Sequence, residues 1–506
     1  MTVVDSFFVF LTKKWYLIPL LTFLLPFIVR VIPEVLVGPY VVGFDTMGFY
    51  VLNVFAWLSG GIDLWGYLAV APLFYALLMS IVNAGIPLIL ALKVLSPLLL
   101  GLLGLSIYYY AYKGLGWSSI KSLAPALLGT LYFVALRISW DMLRSELGLI
   151  FLFVALTLLA QIKVGSWRRY SLLSLAMVAV VLSHQLVAVI LLGVVGFTVI
   201  STWFQKKLCD SLALIVATLP AAVFSLVVYF FAVVPVGFQD YSSSTELLLA
   251  GWLGFSSYPG MLLSGVGFFL FCFLPLLPFV VFGFKCLGDF RLRCWLVLSL
   301  VLLLLPFAFV SPYRWLLLLV YPFAFFVVEA VNRLKTVRWK QFRFSLQKIA
   351  IFYLVLSTSV LSFGYIFYSP EQPFGYFSTK YNAFPYQIPI SMQQNTISVA
   401  DFQGTIDALC WFEANKHIGD LLLAHTAFYS WALLTIDDAD AVWYYEFGDP
   451  VEAASLAEQE GYVRIFLVWW IDGVGWYARP SMPSVFQEVY RSDRIAIYFY
   501  EVPAVS

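Results

Sequence analysis

The sequence predicts a polytopic α-helical membrane protein of about 11 transmembrane helices with a C-terminal extracytoplasmic α/β domain. Three observations predict it. The chain has 506 residues, of which 62% are hydrophobic and 11% charged, whereas soluble domains carry about 25% charged residues. Apolar runs recur at about 20 residues, the length that spans a hydrocarbon core. From Ser369 the composition turns polar, and helix and strand patterns alternate.

The basic residues order the spans. They cluster at Lys13-Lys14, Lys113 with Lys121, Lys163 with Arg168-Arg169, Lys206-Lys207, Lys285 with Arg291 and Arg293, and Arg333 to Lys348. Cytoplasmic loops collect Lys and Arg, so every cluster is placed inside. The first span is expected at Trp15 to Val31, a retained anchor because no small-residue cleavage site follows it. A long external loop, 33–90, comes next and holds Asp45 and Asp63. Further spans are expected near residues 91–112, 123–140, 147–161, 172–183, 185–203, 212–233, 261–284, 294–310, 315–331 and 349–368. A second external loop, about 235–260, holds Asp240 and Glu246. The N-terminus is then cytoplasmic and everything after Tyr368 extracytoplasmic. This divides the chain into a transmembrane domain, 1–368, and an outer domain, 369–506.

Four basic residues break the pattern. Lys93, Arg137 and Arg314 fall at outer span ends, and Arg144 lies just beyond one. Each has either an acidic partner, such as Asp141 or Glu146, or an anionic ligand at the outer face. Arg30 is expected to snorkel from the end of the first span. The net charge of +1 gives no bulk attraction to nucleic acid. The five cysteines read as buried or interfacial thiols, since Cys286 and Cys294 are too widely spaced for a zinc pair.

In the outer domain, residues 370–375 read as a linker. Thr405 is expected to cap a helix through Glu413. Strands are expected at 420–425, 441–445 and 464–471, a helix at 450–459, and a strand pair within 485–502. Asp437, Asp438 and Asp440 lack the Gly and distal Glu of a calcium loop and read as a solvated turn.

The groups expected at the outer face define a chemistry. A carboxylate can act as general base toward a hydroxyl, and clustered cations can hold a phosphate as it leaves. Beside a lipid-accessible bundle, the pair suits transfer of a group from a lipid-phosphate carrier to a hydroxyl. Asp45, in Gly43-Phe44-Asp45-Thr46, leads the acids; Asp63, Asp141, Glu146, Asp240 and Glu246 accompany it. His184 stands at the outer hairpin in Ser183-His184-Gln185.

Five passages carry a resemblance. They are Gly43-Phe44-Asp45-Thr46 with Tyr50; Pro72-Leu73-Phe74-Tyr75 leading to Ala91-Leu92-Lys93-Val94-Leu95-Ser96; Arg144-Ser145-Glu146-Leu147-Gly148-Leu149; Ser183-His184-Gln185; and Ser311-Pro312-Tyr313-Arg314-Trp315 with Tyr321-Pro322. In layout and in these passages residues 1–370 resemble the C-type (GT-C) membrane glycosyltransferases. The resemblance implies a polyprenyl- or dolichyl-phosphate sugar donor, a glycan, lipid or protein acceptor, and the bilayer as partner. It implies Asp45 as the catalytic acid that activates the acceptor, with His184 and Glu146 lining the cavity. Lys93 and Arg314 are expected on the carrier phosphate by charge and depth, with Tyr313, Arg137 and Arg144 completing the substrate-binding set. No second acid follows Asp45 in a D-x-D or D-E pattern, so a divalent cation is left open, with Asp240 or Glu246 as the alternative second acid.

Three other readings remain at this stage. Trp469-Trp470-Ile471-Asp472-Gly473 resembles the Trp-Trp-Asp-Tyr-Gly signature of oligosaccharyltransferases, with an intervening Ile and no Tyr. A transporter or flippase of lipid-linked precursors also needs cations in a bundle, but the halves show no internal repeat. A non-catalytic relative keeps the shape without the chemistry.

Overall fold

The computed structural model describes residues 16–58, 71–162, 166–227, 258–303, 312–334, 336–339, 342–445, 449–472, 474–475 and 482–500. The chain forms two compact units. One comprises Met1–Ile32, Gly60–Ile366 and Phe374–Ile390; the other comprises Pro33–Ser59, Phe367–Pro373 and Ser391–Ser506. This cuts the chain differently from a single boundary at 368/369, because the first part of the long loop groups with the C-terminal residues.

The first unit is helical. Its helices are α1 (Leu17–Leu36, whose last turn lies in the second unit's span), α2 (Pro72–Asn83) and α3 (Leu88–Tyr109), then α4 (Ser119–Leu131), α5 (Phe133–Asp141) and α6 (Leu143–Ala160). Next come α7 (Trp167–Ser183), α8 (Gln185–Phe204) and α9 (Leu208–Leu226). After these follow α10 (Tyr258–Phe273), α11 (Leu277–Cys286), α12 (Phe290–Leu303), α13 (Pro312–Leu317) and α14 (Val320–Arg333). A hairpin of β1 (Thr336–Trp339) and β2 (Phe342–Ser345) leads into α15 (Leu346–Phe367). Among the described residues seven helices are long and apolar enough to cross a membrane, or nine if each of two bent pairs is one span. With the shorter α7 and α12, every expected span has a helix at its place. The chain is a polytopic α-helical membrane protein with a C-terminal α/β domain.

The two bent pairs show how an apolar bundle tolerates broken helices. α4 and α5 meet at 58°, and Leu262–Phe273 meets α11 at 89°. The first break falls at Tyr132, which is extended at φ −66° and ψ 140°. The second surrounds Pro275, which has no N–H to give the Phe271 carbonyl. The N–H of Leu276 turns to Phe273 instead, at 2.8 Å. Two carbonyls are thereby released where no water reaches them, and each must find another donor. The Tyr376 hydroxyl donates to Phe271. The Tyr132 hydroxyl donates to Cys272 at 2.8 Å, so the residue that breaks one helix repairs the other.

Charges at helix ends are paired. Glu329 on α14 accepts from Lys121 of α4 and from Arg333, and the Lys121 ammonium lies 3.9 Å from the Trp117 ring centre. Asp289 binds Arg291 and the Tyr110 hydroxyl. These basic residues belong to the clusters expected between spans.

The second unit is built on a five-stranded sheet. Its elements are α16 (Phe402–Asn415), β3 (Asp420–His425), α17 (Tyr429–Thr435), β4 (Val442–Tyr445), α18 (Pro450–Gln459), β5 (Arg464–Trp470), β6 (Phe486–Ser492) and β7 (Ile495–Tyr500). The strand order is β4-β3-β5-β7-β6. β3 pairs in parallel with β4 and β5, and β7 runs antiparallel to β5 and β6. β3 and β5 lie at the centre, which explains their unbroken apolar runs; β6 is the edge and mostly exposed. The expected cap is corrected. Thr405 lies inside α16 and donates its hydroxyl to the Asp401 carbonyl at 2.7 Å. Asp437, Asp438 and Asp440 are exposed, and Asp438 caps its own turn by accepting from the Asp440 N–H at 3.1 Å.

The sheet's core contains one carboxyl that the sequence reading passed over. Asp401 is buried just ahead of α16. Its Oδ2 accepts from the Trp470 indole and the Ser398 hydroxyl, both at 3.0 Å. Arg494 Nε approaches Oδ1 to 3.0 Å as an ion pair, without hydrogen-bond alignment. Burial raises the Asp401 pKa; the Trp470 N–H, the Arg494 charge and the Ser398 hydroxyl oppose this, and Glu371 adds to it. Trp470 is thus tied into the core, and Trp469 packs on His425 and Phe428. The tryptophan pair serves the sheet.

Two outcomes are expected. Tyr132→Phe leaves the Cys272 carbonyl unpaired in the apolar interior and costs about 1–3 kcal/mol, read as a lowered unfolding temperature in detergent. A raised carboxyl pKa gives stability that is full below the ordinary carboxylate value and lost as pH rises through the folded pKa. Wild-type protein therefore loses thermal stability relative to Asp401→Asn as pH rises from acid toward neutrality; a constant difference between the two contradicts this.

Candidate functional site

The expected site residues fall on both units, and each set has its own construction. In the helical unit, α5 ends at Asp141 and α6 begins at Leu143, so the junction at Met142 turns the chain between Arg137 and Glu146. Arg137 is buried and bound to Asp141 one turn later, and its Nε donates to the Gln387 carbonyl. Of the two readings open for Arg137, the contacts favour a structural partner.

Arg144 and Arg314 have a different setting. α7 and α8 are separated by His184, which is buried in extended backbone at φ −163° and ψ 130°. Its Nδ1 accepts from the Leu186 N–H at 3.2 Å and so caps α8. In the neutral ring this places the proton on Nε2. Gly148 lets α6 approach this break, since a Cβ there would lie 3.4 Å from that of His184. The charges of Arg144 and Arg314 both act on His184. Arg314 Nε lies 3.5 Å from the Tyr313 hydroxyl.

Glu146, two residues after Arg144 on α6, is completely buried, and among the described residues neither of its carboxylate oxygens has a hydrogen-bond partner. Arg30 supplies an opposing charge, and the buried Tyr321 hydroxyl feels the carboxylate. Arg30 itself corrects an expectation. It does not snorkel: it is buried, and its Nε donates to the Ser139 carbonyl at 3.1 Å. Its signal was present in the sequence, because an arginine within an apolar run faces a bundle interior by default. Lys93 is half-buried on α3.

Asp45 lies in the second unit. Gly43 adopts φ 104°, which favours glycine, and directs its N–H to the Gln394 carbonyl at 3.0 Å. The chain then enters a π-helical turn, Thr46–Val51, with Asp45 at its N-terminal boundary. Asp45 is 8% exposed. Around it, the Asn395 amide donates to the Val41 carbonyl at 2.9 Å, and Tyr40 packs on Phe402 and Trp431.

Asp63, Asp240 and Glu246 lie outside the described residues. Among the described residues no three His, Cys, Asp or Glu side chains converge as a metal site requires.

No family model matches the chain, and no curated protein matches it. Among solved structures, the chain is similar to the crystal structure of ArnT from Cupriavidus metallidurans bound to undecaprenyl phosphate. The two share 11% identity with a TM-score of 0.49, over 98% of this chain and 99% of that chain.

Proposed function

We propose that the protein is a membrane glycosyltransferase that moves a sugar from a polyprenyl-phosphate donor to an acceptor hydroxyl on the extracytoplasmic side. The observation that carries this reading lies in the sequence: Lys93, Arg144 and Arg314 break the positive-inside pattern at outer span ends, and an acidic passage around Asp45 follows the first span. Cations at membrane depth are held by anionic groups, and a bound phosphate is one such group. A phosphate ester fits, since guanidiniums bind its oxygens in pairs. In this reading Lys93 adds a third cation. The sequence passage around Asp45 supports the second half of the assignment, a base for the acceptor.

The reaction balances without a further reactant. The acceptor oxygen attacks the anomeric carbon while the Asp45 carboxylate takes its proton. The bond from the anomeric carbon to the phosphate oxygen breaks, and polyprenyl phosphate leaves with the electron pair. Lys93 and Arg314 are assigned to the departing phosphate by charge and depth. A single displacement of this kind inverts the anomeric centre. Glu146 lines the sugar side as an acceptor of hydroxyl hydrogen bonds.

The test uses purified protein with a panel of labelled polyprenyl-phosphate monosaccharides and a membrane-lipid acceptor fraction. Wild-type protein releases polyprenyl phosphate, and Asp45→Asn lowers the rate by about 100-fold or more without loss of folding. Wild-type rates in that variant remove Asp45 as the base. Donor recovered intact on the far side of a bilayer identifies a transporter instead. In the same assay Arg314→Ala raises the donor KM about tenfold, the loss of one charged hydrogen bond of about 1.5 kcal/mol; unchanged donor affinity takes Arg314 out of the site.

A further inference from the structure

The turn that carries Asp45 is held by residues near the other end of the chain. All the contacts lie within the second unit. Asn395, fully buried, donates its amide to Val41 across a sequence separation of 354 residues. It is locked in return: its Oδ1 accepts from the Ile397 N–H and its own N–H reaches the Ile397 carbonyl, both at 3.1 Å. Gln394 accepts the Gly43 N–H, two residues before Asp45. Thr396, also fully buried, touches the π turn from the other side, where a Cβ on Gly48 would lie 3.4 Å from its methyl.

Thr396 then passes the load to the sheet. Its hydroxyl donates to the Ala427 carbonyl at 2.7 Å, in the turn that follows β3, and accepts from the Trp431 indole at 3.2 Å. Trp431 lies on α17 and packs on Tyr40. A three-residue strap, Gln394-Asn395-Thr396, thus joins both sides of Asp45 to the end of a central strand. The Asn395 amide and N–H and the Thr396 hydroxyl each reach a named acceptor at ordinary distance, a geometry that fixes position rather than merely filling space.

We propose that Asn395 and Thr396 are positioning residues for Asp45: the α/β unit sets the carboxylate through this strap. The inference rests on the reading of Asp45 as the base. It extends it by giving residues of the C-terminal domain a part in setting the base. A base displaced by about 1 Å loses most of its effect, on the order of 100-fold.

The experiment has two readouts on the full-length protein. Hydrogen exchange followed by mass spectrometry is measured on wild type, Asn395→Ala and Thr396→Val, and donor turnover is measured on the same samples. Faster exchange over residues 41–51, with β3 and β5 as protected as in wild type, together with a tenfold or greater fall in kcat at a donor KM within twofold, supports the proposal. Thr396→Val is near-isosteric and keeps the test open if Asn395→Ala does not fold. Unchanged exchange over 41–51 in both variants overturns it. So does faster exchange with unchanged kcat in a protein that Asp45→Asn inactivates. Full activity of Asp45→Asn defeats the functional reading alone, because the exchange measurement still reports the strap.

Discussion

Inside an apolar bundle every polar group must be answered by the protein itself, and the helical unit is organised around that constraint. Where α10 breaks at Pro275, tyrosine hydroxyls from two other segments take the released carbonyls. Where cations stand in the interior, the answers differ in kind. Arg137 is closed by Asp141 and a backbone carbonyl. Arg30 is held by Ser139 and faces the charge of Glu146. The charges of Arg144 and Arg314 act on His184, which caps α8.

Much of the fold was legible in the sequence, and for a simple reason. A membrane span is a one-dimensional signal, a length and a composition, so the expected spans coincide with helices to within several residues. The strands at Asp420–His425 and Arg464–Trp470 were legible because central strands buried on both faces read as unbroken apolar runs. The bends within α4–α5 and at the end of α10 were not, because a proline or an extended residue does not declare its angle. Arg30 departs from the expected snorkelling because the neighbouring helices, and not its place near a span end, decide which way it turns. The pairing of the Asp45 turn with residues 394–396 left no local trace at all. It depends on hydrogen bonds between backbone and amide groups that nearly any loop sequence offers.

The second unit shows how one segment can belong to two contexts. Residues 37–58 follow the first membrane helix in sequence, yet their hydrogen bonds and ring contacts tie them to α16, α17 and the strap between. Glycine at 43 supplies a backbone conformation that other residues resist, and glycine at 48 admits the Thr396 methyl. The sheet beneath is stiffened where the strap lands, with Trp470 fixed to Asp401 and Trp469 packed at the end of β5.

The long sequence separation across this strap also has a consequence in time. A chain is synthesised from its N-terminus at about 5–20 residues per second. The 354 residues between Val41 and Asn395 therefore take about 18–70 s to follow the acidic turn out of the ribosome. For that interval the turn exists without its partner. The strap can close only after residues 394–396 are made, so the first loop is completed later than the helices that separate it from them are synthesised.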